Sequence, residues 1–96
     1  MGLPVIRKSV DKTCGHCYYP VIFIEGSPNV FVNNLPVVRQ GDHILKHCCG
    51  KTCHVGAAVG NHSHVFANNR AIQVRTNAVT CGDTSCNGSP NVFCGP

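Results

Sequence analysis

The hexapeptide Gly-Ser-Pro-Asn-Val-Phe occurs twice in the sequence, at residues 26–31 and again at residues 88–93. A degraded copy, Gly-Asn-His-Ser-His-Val-Phe, lies between them at residues 60–66. A short unit that recurs within one chain predicts a repeat architecture, in which each unit buries its apolar face only against its neighbours. The repeat is therefore the feature that decides the fold class.

Each copy of the repeat predicts a β-hairpin. In the first copy the alternating residues 29–32 suit a half-buried strand, and an Asn-Asn pair follows at 33–34, as another does at 68–69 in the middle copy. Asn tolerates the positive φ that a two-residue hairpin turn requires. A second strand is then predicted over residues 35–39 in the first copy and over residues 71–75 in the middle copy.

The hairpin units account for the whole chain as a single all-β domain, residues 1–96. The two second strands align through Val-Arg pairs at 38–39 and 74–75, and Pro36 restricts the first of these strands to an edge or an end of a sheet. The third copy reaches only the first half of the unit before the sequence ends at Pro96. No window combines a helical period with capping residues, and a chain of this length does not divide into two cores.

The composition supplies a thin core and little charge. The chain has no Trp, one Met, two Tyr and four Phe, and a small domain of this kind generally needs a staple besides its core. Eight Cys and six His can provide one. The net charge is +4, and the basic residues are scattered and not interleaved with stacking aromatics, so we predict no nucleic-acid binding.

The N-terminal ten residues contain Arg7 and Lys8 but no apolar stretch behind them, so no signal peptide is predicted. No apolar run approaches the roughly 20 residues that span a bilayer. We therefore expect the protein to be made in the cytoplasm, where a Cys-rich pattern more often indicates a metal site than disulfides.

Polar loops at equivalent positions in three units carry side chains that can bind a metal ion. In each loop an Asp or Asn is followed four or five residues later by His or Cys. These pairs are Asp11 and His16, Asp42 and His47, and Asn77 and Cys81. Equivalent loops of a repeat protein leave the same end of the fold, so the three side chains are expected to meet.

A closed tetrahedral zinc site needs a fourth ligand, which is expected from the dense Cys/His segment at residues 47–54. His54 is the first choice because Gly56 follows it and lets the backbone bend close to an ion, and Cys49 and Cys53 are the alternatives. Imidazole and thiolate suit zinc, whereas calcium and magnesium prefer carboxylates, of which the chain has only four.

The other Cys and His residues have several interpretations. Buried packing, disulfides and a second metal site all remain open for Cys14, Cys17, Cys48, Cys86 and Cys94. Cys94 occupies the strand position that Val32 and Ala67 hold in the other copies, which favours packing. His62 and His64 lie inside the middle copy and are expected to be strand side chains.

Adjacent Cys and His residues, at 16–17, 47–48 and 53–54, also fit a nucleophilic enzyme. Such catalysis needs an orienting third group, a pocket and an oxyanion hole. A chain of short hairpins has little room for them, so we predict that the protein is not an enzyme.

The first hairpin leads into Pro-Val-Val-Arg-Gln-Gly-Asp at residues 36–42, and together these resemble the PAAR-repeat proteins, named for Pro-Ala-Ala-Arg. The resemblance extends from about Asp11 to Gly95. The linkers at 15–20 and 47–56 look most like the short phage-type members. The sequence departs from the family pattern in the middle copy, which lacks Ser-Pro and has Thr-Asn at 76–77 in place of Gly-Asp.

The resemblance implies a conical fold with pseudo-threefold symmetry and one zinc ion near its point, with iron as the alternative metal. The family's three His and one Cys ligands correspond here to His16, His47, His54 and Cys81.

The resemblance also implies a structural role. Members cap the trimeric β-helical central spike of contractile phage tails or type VI secretion machines, one monomeric tip per trimer, and pierce the target cell envelope. We expect no toxin domain at either end and a location in the virion or among the proteins exported by such a machine. The apolar base that meets the spike is expected to include Val30, Phe31, Val65, Phe66, Val92 and Phe93.

The alternative function is a free-standing zinc-binding or disulfide-rich module that binds some other protein. A spike tip needs three similar apolar edges to match a trimer, whereas a generic module does not.

Overall fold

The repeat units form β-hairpins in the computed structural model, which describes residues 2–15, 19–60 and 64–94. The described strands are β1 (Leu3–Pro4), β2 (Phe31–Val32), β3 (Leu35–Pro36), β4 (His47–Cys49), β5 (Thr52–His54), β6 (Phe66–Ala67), β7 (Arg70–Ala71) and β8 (Phe93–Cys94). They pair antiparallel as β1–β8, β2–β3, β4–β5 and β6–β7. No helix occurs in the described part of the chain, so the predicted all-β class is confirmed. Accordingly, none of the described residues belongs to a helix long and apolar enough to cross a membrane.

The third hairpin is completed by the N-terminal segment. β1 pairs with β8 so that Leu3 lies opposite Cys94 and Pro4 lies opposite Phe93. The same register holds in the other two hairpins, where Phe31 pairs with Pro36 and Phe66 pairs with Ala71. The half unit predicted at the C-terminus is therefore a whole hairpin whose two strands come from opposite ends of the sequence.

The two Asn-Asn turns have the predicted conformation and set the register of the strands that follow. Asn33, Asn34, Asn68 and Asn69 all have φ between 54° and 66°. The equivalent pairings Phe31–Pro36 and Phe66–Ala71 place Gln73, not Val74, at the position of Val38. The predicted match of the Val-Arg pairs at 38–39 and 74–75 was therefore wrong by one residue, because the turn fixes the register.

The segments after the hairpins close into rings of backbone hydrogen bonds. In one ring, Ile6 N donates to Gln73 O (3.0 Å), Gln73 N donates to Val38 O (2.8 Å), and Val38 N donates to Ile6 O (3.0 Å). The next ring runs in the opposite direction, with donors Lys8, Gln40 and Arg75 and acceptors Pro36, Ala71 and Pro4 in that order. The three segments thus satisfy one another's backbone groups, which joins the first half of the chain to the second.

Two apolar clusters form the core on either side of these rings. The hairpin-side cluster consists of Val5, Val37, Ala67, Ile72, Val74 and Cys94. The loop-side cluster consists of Ile6, Phe23, Val38, Ile44, Ala58 and Val79. Adjacent residues of one segment, such as Val5 and Ile6, enter different clusters because successive side chains of an extended chain point in opposite directions.

Gln73 replaces the apolar residue that the other two segments contribute at its position, and its side chain is fully buried. Its Oε1 accepts a hydrogen bond from Gly60 N (2.8 Å), and its Nε2 donates to Ser85 Oγ (2.7 Å) and Ala78 O (3.1 Å). The buried amide is therefore satisfied, as such groups must be to avoid a desolvation penalty.

The first Asn of each Asn-Asn turn forms side-chain hydrogen bonds with a neighbouring repeat. Asn33 Nδ2 donates to Asn91 Oδ1 (2.9 Å), and Asn33 Oδ1 accepts from Ser89 Oγ (2.6 Å). Asn68 makes the equivalent contacts with Asn29 (2.9 Å) and Ser27 (2.7 Å). The turns therefore connect the three hairpins to one another as well as closing two of them.

We expect Asn33→Ala to destabilise the fold by about 2–3 kcal/mol more than Asn34→Ala. Both positions have positive φ, so both changes add a similar backbone strain, but Asn33 also holds Asn91 and Ser89. Urea unfolding of the two variants measures the difference. Equal losses of stability would contradict the contacts assigned to Asn33.

Candidate functional site

Three loops emerge side by side beyond the loop-side cluster. They are closed by the antiparallel bridges Lys12–Ile22, His43–Ala57 and Ala78–Thr84. Neighbouring loops are joined in turn by the bridges Phe23–Ile44, Ala58–Val79 and Thr13–Ser85. We call residues 14–21, 45–56 and 80–83 the tip loops. These three bridges join the base of each loop to the base of the next and return to the first. The three tip loops therefore begin at adjacent places at one end of the molecule.

The candidate ligands are distributed over all three tip loops. His47 and His54 lie in the second loop, and Cys81 lies in the third. His16 belongs to the first loop but falls outside the described residues, as do Cys17 and His62. No group of three His, Cys, Asp or Glu side chains positioned to hold a metal ion occurs among the described residues, which exclude His16.

The two histidines of the second tip loop are cross-strand neighbours. In the β4–β5 hairpin His47 pairs with His54, Cys48 with Cys53, and Cys49 with Thr52. Directly opposed residues of an antiparallel pair have Cβ atoms about 5 Å apart on the same face of the sheet. The hairpin thus places residues 47 and 54 directly opposite each other in the backbone register.

His47 has the hydrogen bonding that is typical of a metal-ligating histidine. The residue is buried, 6% exposed, and its ring Nδ1 lies 3.1 Å from the carbonyl oxygen of Leu45. A carbonyl can only accept, so Nδ1 carries a proton, and in the neutral imidazole Nε2 is then the nitrogen with the lone pair. Ligating histidines commonly donate their other ring N–H to a backbone carbonyl, which fixes the tautomer and the orientation of the ring.

The Cys81 thiol packs against the backbone of the second tip loop at Gly56. A Cβ atom at Gly56 would lie 3.0 Å from Cys81 Sγ and 2.8 Å from a methyl carbon of Val79. Only glycine allows this approach, and position 56 is two residues beyond His54. The contact brings the third loop beside the second, and the predicted role of Gly56 next to a metal ion stays a prediction.

We expect Gly56→Ala to displace Cys81 and to weaken zinc binding about tenfold or more, with a loss of stability of about 1–3 kcal/mol from overpacking. Gly26→Ala is the matched control. A Cβ there would also be crowded, 2.8 Å from Pro36 Cβ, but on the hairpin side of the fold. Chelator competition and urea unfolding measure the two effects. Equal zinc affinities in both variants would contradict a ligand role for Cys81.

Buried Asp and Asn side chains fix the points at which the tip loops begin. Asp11 Oδ2 accepts from Arg7 N (2.7 Å), and Asp42 Oδ2 accepts from Arg39 N (2.7 Å). Asn77 Oδ1 makes the third equivalent contact, accepting from Val74 N (3.1 Å). The loop residues that the sequence aligned are therefore structural anchors.

Two of these anchors also form ion pairs. Arg7 Nε lies 2.8 Å from Asp11 Oδ2, and Arg39 Nε lies 2.9 Å from Asp42 Oδ2. The side-chain hydrogen bond to Asp11 raises the pKa of Arg7, and the one to Asp42 raises the pKa of Arg39. Each carboxylate thus stays paired with a permanent cation.

Asp83 is a further anchor that the sequence analysis missed. It is buried, and its two carboxylate oxygens lie 3.0 and 3.1 Å from the backbone N–H of Gly15, which donates to them. Asp83 therefore ties the first tip loop to the third, directly before the His16 position. A sequence signal existed, because Asp83 is an isolated acidic residue two positions after Cys81 in a chain with only four.

Most of the described cysteines form disulfides. Cys14 is bonded to Cys86, which is 72 residues away, and Cys48 is bonded to Cys53 across the β4–β5 hairpin. Cys49 is disulfide-bonded as well, so neither reserve ligand, Cys49 or Cys53, offers a thiolate in this state. Because a disulfide lowers the entropy of the unfolded chain by closing a loop, Cys14–Cys86 stabilises the fold by about 4 kcal/mol and Cys48–Cys53 by about 2 kcal/mol.

Two described cysteines, Cys81 and Cys94, remain thiols. Cys94 is 7% exposed and belongs to the hairpin-side cluster, which confirms the packing role predicted from its strand position. Cys81 is the thiol that lies at the tip loops. His64 is exposed and lies before β6, not within a strand as predicted.

The hairpins expose a matching set of large apolar side chains. Phe31, Phe66 and Phe93 are 55%, 64% and 54% exposed, at equivalent positions of β2, β6 and β8. Val30 and Val65, which precede two of them, are also exposed, while Val92 is partly buried against the hairpin-side cluster. The three phenylalanines therefore hold equivalent exposed positions on the hairpins, whereas Val92 differs from Val30 and Val65.

Comparison of the sequence with protein-family models and with curated proteins finds no match. The function has to be inferred from the tip loops and the exposed hairpin edges themselves.

Proposed function

We propose that this protein is a PAAR-type spike tip, which caps and sharpens the trimeric β-helical central spike of a contractile injection machine, either a phage tail baseplate or a type VI secretion system. In this proposal one zinc ion, held by His16, His47, His54 and Cys81, fixes the point. The observation that carries the proposal is the three-fold repetition of the fold, with apolar edges on the hairpins and adjacent tip loops beyond the core.

The hairpin edges support binding to a trimer. A trimeric spike presents three identical surfaces around its axis, and a single chain can match all of them only if it carries three equivalent surfaces itself. Phe31, Phe66 and Phe93 are equivalent in register and each is more than half exposed. Exposed apolar residues that recur in this way mark a binding surface rather than scattered surface residues.

The tip loops support the zinc site through the chemistry of their donors. The β4–β5 hairpin pairs His47 with His54, and Cys81 is a thiol in a region where other cysteines are oxidised. Imidazole and thiolate are the usual ligands of closed, structural zinc sites. The His16 position follows Gly15, whose backbone is anchored to Asp83 in the third loop.

The zinc ion would serve as a staple at the point. Binding of structural zinc contributes folding free energy, on the order of 10 kcal/mol in small metal-dependent peptides. The described body measures 38 × 26 × 20 Å, and its core is formed by two small clusters. A metal-stapled point resists local unfolding while the spike is driven into an envelope.

The proposal is tested by binding to a purified trimeric β-helical spike protein of a phage tail or type VI secretion system. We expect native mass spectrometry of the purified mixture to show one copy of this chain per spike trimer. Absence of a complex, or a complex with three copies per trimer, would overturn the proposal because a three-fold tip occupies the whole end of the spike.

The disulfides favour a second candidate, a disulfide-stabilised module that binds a partner without three-fold symmetry. Cys14–Cys86 joins the two halves of the chain covalently, as disulfides do in small interaction domains. This candidate predicts a stable, metal-free protein that does not bind the spike. Elemental analysis and the same binding experiment distinguish the two functions.

A further inference from the structure

We propose that the Cys48–Cys53 disulfide is a thiol–disulfide exchange site, which small-molecule thiols reduce before Cys14–Cys86, and that its reduction weakens the pairing of His47 with His54. The consequence for zinc rests on the function proposed above, whereas the exchange reaction does not.

The Cys48–Cys53 disulfide lies at the surface of the second tip loop. Cys48 and Cys53 are directly opposed in the β4–β5 hairpin, and both residues are exposed. Successive residues of a strand point to opposite faces, so this disulfide lies on the face opposite to the His47 side chain. It is therefore open to a thiol in solution from the side away from His47.

The Cys14–Cys86 disulfide is held more firmly by the fold. Around Cys14–Cys86, Cys14 N donates to Thr84 O (2.8 Å) and Cys86 N donates to Lys12 O (3.0 Å). Cys14 and Cys86 are exposed as well, so accessibility does not distinguish the two disulfides, but the bridge between Thr13 and Ser85, both 1% exposed, lies beside this one. These contacts hold the two cysteines together after reduction, which favours re-formation of the bond.

The Cys48–Cys53 disulfide has weaker support from the fold. β4 and β5 have three residues each and pair only as a two-stranded sheet. Two-stranded hairpins are marginally stable on their own in water. Because a reduced pair re-forms only as often as the fold brings its thiols together, this weaker support favours reduction of Cys48–Cys53 before Cys14–Cys86.

The β4–β5 hairpin carries positive charge at its surface. Lys46 precedes β4 and Lys51 lies in its turn, and both are exposed. Of the four acidic residues, Asp11, Asp42 and Asp83 are buried and hydrogen-bonded elsewhere, and the exposed Glu25 is paired with His43. A positive surface attracts anionic thiols such as glutathione.

The exchange proceeds in two balanced steps. The thiolate of the first small-molecule thiol attacks one sulfur of Cys48–Cys53, so that a mixed disulfide forms, the protein S–S bond breaks, and the departing sulfur takes a proton from water. A second thiolate then attacks the sulfur of the small molecule in the mixed disulfide. The protein is reduced by two electrons to two thiols, and two small-molecule thiols are oxidised to one disulfide.

The Cys48–Cys53 disulfide is connected to the proposed zinc ligands through the register of the β4–β5 hairpin. The disulfide fixes Cys48 opposite Cys53, and the neighbouring pair is His47 opposite His54. Reduction removes the covalent restraint on this register and so lowers the fraction of chains in which the two imidazoles are preorganised. A looser ligand set binds its metal more weakly, by about tenfold when supporting residues of a site are lost.

The exchange site is tested on the full chain with graded glutathione, followed by trapping with iodoacetamide and peptide mass spectrometry. We expect Cys48 and Cys53 to become alkylated at glutathione concentrations that leave Cys14 and Cys86 bonded. Opening of Cys14–Cys86 first, or of both together, would overturn the exchange site.

The connection to zinc is tested by chelator competition without reductant. We expect Cys48→Ser with Cys53→Ser to weaken zinc affinity about tenfold, while Lys51→Ala, on the same hairpin with the disulfide kept, has no effect. If the double variant does not fold, Cys48→Val with Cys53→Val, whose side chains suit a strand, replaces it. Unchanged affinity would overturn the connection alone. Failure of every form, wild type included, to bind zinc would overturn the connection and the proposed zinc site, and the alkylation result would still decide the exchange site.

Discussion

Cys81→Ser is expected to reduce the zinc content of the purified protein from one ion per chain to none. The thiolate is the single sulfur ligand of the proposed site, and serine is a poor ligand for zinc. Zinc binding contributes on the order of 10 kcal/mol in small metal-dependent peptides, so the variant should also melt far below the wild type. Elemental analysis and thermal unfolding measure the two effects.

Cys94→Ser is the matched control for this change. Cys94 is the other described thiol, but it is 7% exposed and packs in the hairpin-side cluster. Its replacement buries a hydroxyl and should cost about 1–3 kcal/mol of stability while leaving zinc bound. Retention of zinc by Cys81→Ser, or loss of zinc by Cys94→Ser alone, would show that the thiol at the tip loops is not a ligand.

The second large effect is expected at the hairpin edges. Replacing Phe31, Phe66 and Phe93 together by Ser should abolish binding to a trimeric β-helical spike without unfolding the protein, because all three side chains are more than half exposed. Buried aromatic residues at the centre of an interface commonly contribute about 2 kcal/mol or more each to binding. Calorimetric titration of the spike with each variant measures the loss.

The three single variants provide the sharper comparison. Because Phe31, Phe66 and Phe93 hold equivalent positions, each should weaken binding by a similar factor, about 30-fold for 2 kcal/mol. Tyr19→Ser is the control, since Tyr19 is 87% exposed but lies in the first tip loop. If only one phenylalanine matters, or if Tyr19→Ser has an equal effect, the partner does not use the three-fold surface.

The hairpins were predictable because local chemistry determines them. The Asn-Asn pairs demanded a positive φ at two successive positions, and all four residues have it. The third hairpin was missed because it has no turn, since its strands come from both ends of the sequence. A signal was present in Leu-Pro-Val at residues 3–5, which is repeated at 35–37, but a triplet is too short to indicate pairing without the hydrogen-bonded rings.

The candidate site was predictable in part. Equivalent loops follow from the repeat, and the structure closes them with equivalent bridges. The disulfides were not predictable, because eight cysteines allow 105 complete pairings and sequence does not choose among them. Asp83 was missed for a related reason, since its contact with Gly15 joins residues that are distant in the sequence.

The central claim is that three repeated loops hold one metal ion with three histidines and one cysteine, and X-ray absorption at the zinc edge tests it most directly. For protein purified with its metal, the account predicts one sulfur at about 2.3 Å and three nitrogens at about 2.0–2.1 Å from zinc. A spectrum with two or more sulfurs, with oxygen ligands alone, or a protein that contains no metal would contradict it.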